Sequence, residues 1–217
     1  MNFLFSSLGK KIQIAFSGIL LCLFLLLHLM NNLTLFIGSE LFNSMVQTLE
    51  SIKPIIRIME FSLLMILIMH VFNGIQVTIS NKKAALSKKA ESSTSSLNSR
   101  TMIITGITIL AFIIIHLRYL WYTYQAHTFL DNETYYDVIL RNQLGFLGHT
   151  PTAIFYIISI ILIGFHLNHG FQSALKTFGI SPSSRWNMLY KISFIFWGLI
   201  PFLFIIIVLA IQMGYIK

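Results

Sequence analysis

The sequence has few charged residues and very few acidic ones. Charged residues make up 10% of the 217 positions, whereas about 25% is usual in a soluble globular domain. Only 7 residues are Asp or Glu, against 15 Lys or Arg, and 56% of the chain is hydrophobic. The basic residues lie in short stretches between long apolar runs, which excludes the basic face that nucleic-acid binding requires. The composition therefore indicates a membrane protein.

Cysteine and proline are also scarce. The single cysteine, Cys22, excludes an intrachain disulfide, a cysteine-based metal or iron–sulfur site and the Cys-x-x-Cys-His attachment of c-type haem. Cys22 lies in an apolar run longer than the core of a secretory signal, which spans about 7–15 residues, so we interpret that run as a retained span. Pro54 and Pro151 stand at expected helix starts, whereas Pro201 lies inside the last apolar run and predicts a kink there.

Five apolar stretches are long enough to cross a membrane as helices, which takes about 20 residues each. Lipid permits only helices or closed barrels, because every backbone amide must be hydrogen-bonded. The predicted fold class is all-α, a single transmembrane bundle of five helices formed by residues 1–217. The predicted spans are residues 12–37, 55–80, 101–125, 151–177 and 187–215, with a Ser- and Lys-rich flexible loop at 81–100.

The loop charges predict the orientation of the bundle, because cytoplasmic loops retain Lys and Arg. Basic residues precede the first span and dominate the connections between the second and third and the fourth and fifth spans. The other two connections carry a mixture of charges with little net excess. The N-terminus is therefore expected in the cytoplasm and the C-terminus outside. The basic residues concerned are Lys10, Lys11, Lys82, Lys83, Lys88, Lys89, Arg100, Lys176, Arg185 and Lys191.

Four of the seven histidines lie deep within the first four spans, one in each. They are His28, His70, His116 and His166. Ionisable groups within a membrane are costly and usually functional. A single histidine could equally be a neutral residue bonding between helices, but four at matching depths favour a shared function.

An internal repeat relates these spans in pairs. The first and third spans share the pattern [ST]-G-I-x4-F-x3-H-L, ending at His28 and His116. The second and fourth share H-x3-G-x-Q, beginning at His70 and His166. Helix rise of about 1.5 Å per residue places the first pair in an outer layer and the second in an inner layer. The sequence thus predicts two facing histidine pairs stacked across the membrane.

Two imidazoles facing each other in an apolar bundle suit a haem better than zinc. Zinc needs further Cys, His or carboxylate ligands, and no acidic residue accompanies either pair within the spans. Ligation by two imidazoles leaves no open position on iron, which favours electron transfer. We therefore predict two haems b, with Gly74 and Gly170 providing either room for the porphyrin or close helix packing.

Other polar residues lie near these pairs or outside the spans. His169 competes with His166 as a ligand, but the repeat favours His166 and leaves His169 as a candidate contact for a haem propionate. Arg118 is a second candidate propionate contact, or else extends to the lipid headgroups. His127 and His149 are expected to be solvated loop residues.

The chain resembles the cytochrome b membrane anchor of succinate dehydrogenase and fumarate reductase, in its single-chain dihaem form. The resemblance rests on the four histidines and on three motifs, which are Lys-x-x-x-Ala-x-x-Gly at 11–18, His28-x-x-x-Asn32-Leu33 and Phe165-His166-x-x-x-Gly170. It implies a bacterial cytoplasmic membrane protein of the tricarboxylic acid cycle. A flavoprotein and an iron–sulfur subunit would bind on the cytoplasmic side and carry the dicarboxylate chemistry.

The same resemblance implies roles for particular residues. His28 and His116 would ligate the distal haem, and His70 and His166 the proximal haem. Glu50, with Glu40 as its rival, matches an acidic residue implicated in proton exchange at a menaquinone site. Gly164 stands where some fumarate reductases have a proton-carrying Glu, and Asn31 where many relatives have Gly.

Alternatives remain open at this stage. The complex could run as a fumarate reductase, oxidising quinol, or the chain could anchor another membrane dehydrogenase such as a hydrogenase or formate dehydrogenase. A different class is a small transporter that uses intramembrane histidines as relays. The shortage of intramembrane carboxylates disfavours that class, since only Glu60, near the start of the second span, could serve as a partner.

Overall fold

The computed structural model describes residues 3–87, 97–180 and 184–217. Within these ranges the chain is helical and contains no strand. After a short 3₁₀ turn at Phe3–Phe5, the helices are α1 (Ser7–Leu33), α2 (Ser39–Ser51), α3 (Lys53–Ser87), α4 (Leu97–His116), α5 (Tyr122–Gln125), α6 (Tyr135–Leu140), α7 (Thr150–Thr177), α8 (Ser184–Phe194) and α9 (Ile200–Gln212).

Five helical segments are long and apolar enough to cross a membrane. Two of them are continuous through π-helical turns, Leu117–Trp121 between α4 and α5 and Ile195–Leu199 between α8 and α9. The segments are Ser7–Phe36, Lys53–Lys83, Thr101–Gln125, Thr150–Thr177 and Lys191–Gln212. The all-α fold with five potential spans is thus confirmed.

The helix ends differ from the predicted ones for local reasons. α1 begins before residue 12 because the Ser6 hydroxyl accepts a hydrogen bond from the Gly9 amide at 3.0 Å and caps the helix. α9 ends before residue 215 because Gly214 adopts a φ of 73°, as glycine does just beyond a helix end. α3 continues to Ser87, into the predicted loop at 81–100, and residues 88–96 of that loop lie outside the described residues.

The prolines act as their positions predict. Pro54 and Pro151 lie in the first turns of α3 and α7, where the missing amide hydrogen leaves no helical bond unmade. Pro201 cannot donate to the carbonyl of Trp197. The helix accommodates Pro201 with the π-helical turn Ile195–Leu199 immediately before α9, which is an interruption at the predicted place.

The spans pack unevenly around one another. α1 packs against α3, α7 and α9, and α7 also packs against α4 and α9. α3 and α4 make few direct contacts, and the most apolar stretch of α3 has no buried residue. The space between these two helices is therefore open to a ligand.

One end of the bundle carries a cap that was not predicted from the sequence. This cap is formed by α2 and α6. We call the end that carries the cap the outer end and the opposite end the inner end. The Asn43 side chain accepts a hydrogen bond from the Tyr136 amide at 3.0 Å and joins the two helices. A capping box between Thr134 and Asp137 starts α6. The most deeply buried large side chains include Phe42 and Val138 in this cap.

Candidate haem site

The first histidine pair lies toward the outer end of the bundle. α1 positions His28 and α4 positions His116, and their ring centroids are 5.7 Å apart with an angle of 88° between the ring planes. An aromatic side chain one turn earlier packs on each ring, Phe24 on His28 at 5.5 Å and Phe112 on His116 at 5.8 Å. The phenylalanine of the F-x3-H repeat therefore supports its own histidine.

The second pair lies toward the inner end. His70 of α3 and His166 of α7 have ring centroids 6.4 Å apart and ring planes at 64°. The structure thus brings the four histidines together in the two pairs that helix depth and the repeat predicted. A metal held by two imidazole nitrogens at about 2 Å each would keep such centroids on the order of 6 Å apart, so both separations suit one metal ion between two rings.

Hydroxyl groups contact the inner pair from the neighbouring helices. Ser17 Oγ lies 3.0 Å from Nδ1 of His70, and Thr105 Oγ1 lies 3.2 Å from Nδ1 of His166. The glycine after each hydroxyl residue lies beside the same ring, since a Cβ on Gly18 would lie 3.4 Å from Cε1 of His70 and one on Gly106 would lie 3.6 Å from Cε1 of His166. The [ST]-G part of one repeat therefore contacts the histidine of the other. The sequence shows this motif as part of the repeat, but its contact with a histidine of another span was not predicted.

All four histidines line one continuous cavity of about 2170 Å³. Pockets for drug-sized ligands usually measure about 300–1,000 Å³, so this cavity can hold two large planar groups. Its walls are mostly aliphatic and aromatic, and its ends carry charged groups. Those groups are Lys11, Lys82 and Lys176 toward the inner end and Glu50, Lys53, Arg57, Glu60 and Arg118 toward the outer end.

Two glycines decide whether the inner pair has room for a porphyrin. Gly74 and Gly170 both line the cavity, and a Cβ built on either would meet no described atom within 4 Å. Close helix packing would place neighbouring atoms at that distance. Of the two interpretations that the sequence left open, the structure therefore favours open space beside each inner histidine.

The donor set also fits haem better than a metal ion held by protein alone. Among the described residues, no group of three or more His, Cys, Asp or Glu side chains could hold a metal ion. Near His28, the buried Oδ1 of Asn31 has no hydrogen-bond partner among the described residues, and Asn31 lines the cavity. An unpaired buried polar atom of this kind is usually satisfied by a bound group or water.

Residues 12–97 match a family model, that of the succinate dehydrogenase/fumarate reductase transmembrane subunit. The matched segment includes His28 and His70, whereas His116 and His166 lie beyond it. No curated protein and no solved structure matches the chain. The first two potential spans are therefore similar to the membrane subunit of these complexes.

Glu50 lies at the outer end of the same cavity, near the end of α2. The Tyr135 hydroxyl donates a hydrogen bond to its carboxylate at 2.6 Å, and the Lys53 ammonium lies 3.2 Å away. The bond from Tyr135 and the charge of Lys53 hold the pKa of Glu50 below its usual value. Burial, together with the bond to Glu50, raises the pKa of Tyr135 to about 12. Its rival Glu40 is exposed in the first turn of α2.

Glu60 is a second carboxylate at the outer end, and its contact with Trp121 was not predicted from the sequence. Glu60 accepts hydrogen bonds from Arg57 at 2.8 Å and from the Trp121 indole at 2.9 Å. Arg57 also donates to Gln125 at 2.5 Å. This group joins α3 to the end of the third span and lines the cavity. The spacing of Arg57 and Glu60 is a helical ion-pair signal, but it could not reveal the contact with Trp121.

The remaining candidates take different positions. Arg118 lines the cavity, and its guanidinium lies 4.9 Å from the centroid of the Tyr122 ring. His169 is on α7 but is not among the described residues that line the cavity, so its contact with a propionate stays a prediction. His127 is about half exposed and lies 3.9 Å from Glu50. His149 is partly buried at the start of α7, where Nδ1 lies 3.0 Å from the Thr152 hydroxyl.

Gly164 packs against the last span. A Cβ at this position would lie 3.0 Å from the Trp197 carbonyl oxygen and 3.8 Å from Pro201. A glutamate here would therefore require α7 and the π-helical turn to separate. The chain's own packing thus disfavours the proton-carrying side chain that some fumarate reductases have at this place.

Proposed function

We propose that this chain is the dihaem cytochrome b anchor of a succinate:menaquinone oxidoreductase in a bacterial cytoplasmic membrane. The two facing histidine pairs within one continuous apolar cavity are the observation that carries the proposal. The match of residues 12–97 to the succinate dehydrogenase/fumarate reductase transmembrane subunit supports it.

In this proposal the histidines act as axial ligands. His70 and His166 would hold the inner haem, and His28 and His116 the outer haem. Bound haem supplies one-electron redox chemistry. The apolar walls exclude water from the imidazoles, and the phenylalanines beside His28 and His116 restrict the motion of those rings.

The charged groups at the two ends of the cavity support a direction for electron transfer across the membrane. The lysines at the inner end lie where a cytoplasmic iron–sulfur subunit and its flavoprotein partner would bind. At the outer end, Glu50 has a lowered pKa, so it is ionised at neutral pH and would take up a proton from the outer side and pass it to the menaquinone being reduced. We expect electrons to enter at the inner end and to leave to quinone at the outer end.

The decisive experiment is a dithionite-reduced minus oxidised visible spectrum of the purified chain, with haem quantified per polypeptide. We expect two b-type haems per chain. His166→Ala should remove one haem and interrupt succinate-driven quinone reduction. His169→Ala removes the competing histidine on the same helix and should keep both haems if His166 is the ligand. A well-folded wild-type chain without haem would overturn the proposal and favour an intramembrane-histidine transporter.

The electron donor is identified by a second measurement. In membranes that contain the complete complex, succinate should reduce the haems, whereas hydrogen or formate should not. Haem reduction by hydrogen or formate alone would assign the chain to another b-type dehydrogenase. Oxidation of the haems by fumarate faster than their reduction by succinate would assign the reverse direction.

A further inference from the structure

The hydroxyl groups beside the inner histidines have a defined hydrogen-bond direction. The Ser17 hydroxyl donates to the Gln13 carbonyl at 2.7 Å, and the Thr105 hydroxyl donates to the Thr101 carbonyl at 2.9 Å. Two oxygen atoms approach this closely only with a hydrogen between them. A hydroxyl has one hydrogen to donate, so at both residues that hydrogen is committed to the helix backbone.

Each hydroxyl oxygen is consequently an acceptor toward its histidine. Nδ1 of His70 and Nδ1 of His166 must carry the proton to make hydrogen bonds of 3.0 and 3.2 Å with these oxygens. Protonation at Nδ1 leaves a free lone pair on Nε2, which is the form of imidazole that binds a metal.

The outer pair lacks this close arrangement in the described structure. Nδ1 of His116 lies 3.4 Å from the Tyr156 hydroxyl, and Nε2 of His28 lies 3.5 Å from the Asn32 amide nitrogen. Both distances exceed the usual range of about 2.7–3.2 Å for such bonds. Ser17 is fully buried and Thr105 is 7% exposed, so water does not compete for their bonds to the inner histidines.

We propose that Ser17 and Thr105 are positioning residues for the inner histidines, fixing Nε2 as the coordinating atom and lowering the redox potential of the inner haem below the value it would have without these hydroxyl groups. The inference rests on the proposed function. A hydrogen bond accepted from Nδ1–H makes the imidazole a stronger electron donor, which stabilises oxidised iron and therefore lowers its potential.

The test is a redox titration of the two haems in the full chain carrying Ser17→Ala or Thr105→Val. Each variant should keep two haems, raise the midpoint potential of the inner haem and leave that of the outer haem unchanged. His166→Ala identifies which spectral component is the inner haem. Loss of the acceptor should also weaken inner-haem binding about tenfold or more.

Matched variants separate this role from a structural one. Ser17→Thr and Thr105→Ser retain the hydroxyl and should preserve the wild-type potential. Ser159→Ala removes another fully buried serine, whose hydroxyl donates to the Phe155 carbonyl at 2.8 Å, and should change neither potential. If Ser17→Ala loses the inner haem entirely, retention of that haem in Ser17→Thr supports the proposal.

Three results would overturn the inference. They are two haems with unshifted potentials in both hydroxyl-deleting variants, equal shifts of both haems, and the same shift in Ser159→Ala. These results leave the proposed function standing, because both haems are present. A wild-type chain without haem removes the proposed function and this inference together.

Discussion

Glu50 is a residue whose ionisation depends on a contact between α2 and α6. The Tyr135 hydroxyl donates to its carboxylate and lowers its pKa, and Lys53 adds to the effect. A carboxyl group with a lowered folded-state pKa stabilises the protein above its unfolded pKa, and that contribution is lost as the pH falls through the folded value. The cap formed by α2 and α6 is therefore expected to weaken in acid.

Tyr135→Phe tests this dependence. Without the hydroxyl bond the pKa of Glu50 rises, so the limb of the pH profile for quinone reduction that Glu50 controls should move to higher pH. Tyr124→Phe is the control, because its hydroxyl donates to the Tyr135 carbonyl at 2.8 Å and not to Glu50. An identical pH profile in Tyr135→Phe and wild type would remove Glu50 from the proton-exchange step.

Gly170 gives a second prediction at the residue scale. A Cβ there meets no described atom within 4 Å, so Gly170→Phe should fold and fill the space beside His166. We expect one haem per chain in place of two, measured by haem quantification. Gly170→Ala adds only a methyl group and should keep both haems. Two haems in Gly170→Phe would show that the porphyrin does not occupy this space.

At the scale of elements, the loop before α7 depends on a glycine that no other residue can replace without strain. Gly145 has a φ of 98°, and a Cβ there would lie 2.0 Å from Cγ of Tyr119. Its amide donates to the Thr152 hydroxyl at 3.0 Å. The loop therefore contacts the third span at Tyr119 and the fourth span at Thr152. The close approach of Gly145 to Tyr119 helps to fix the position of the cap.

Gly145→Ala should destabilise the chain by about 2–5 kcal/mol, because a strained φ costs about 1–2 kcal/mol and overpacking costs about 1–3 kcal/mol. Gly179→Ala is the matched control, since Gly179 has a φ of 73° but no described atom within 4 Å of the added Cβ. Thermal unfolding in detergent should show the larger loss for Gly145→Ala. Equal losses would mean that the Tyr119 ring moves aside at no cost.

At the scale of the whole molecule, the prediction concerns orientation. The basic connections predict that the inner end faces the cytoplasm. A cysteine replacing exposed Asp131 should react with a membrane-impermeant maleimide in intact cells. A cysteine replacing exposed Lys83 should react only after permeabilisation. Cys22 is buried and serves as the unreactive background. Labelling of Lys83→Cys in intact cells would reverse the orientation and the proposed direction of electron transfer.

Much of the architecture was predictable because it depends on local chemistry. Spans follow from the number of consecutive apolar residues that lipid requires, and the depth of each histidine follows from helix rise. These two quantities, with the internal repeat, led to the pairing of His28 with His116 and of His70 with His166. The helix ends were less predictable, because the Ser6 cap and the Gly214 turn are decided by a few atoms.

The remainder of the site depends on contacts between residues far apart in the chain. Ser17 and His70 are separated by 53 positions, and Thr105 and His166 by 61, so no local pattern indicates that they meet. The same holds for Glu60 with Trp121 and for Glu50 with Tyr135. The sequence by itself determined the spans and the level of each histidine, because these depend on hydrophobicity and helix rise. Only the tertiary structure decided which hydroxyls contact the inner histidines and which carboxylates line the cavity, because helix rotation and packing determine those contacts.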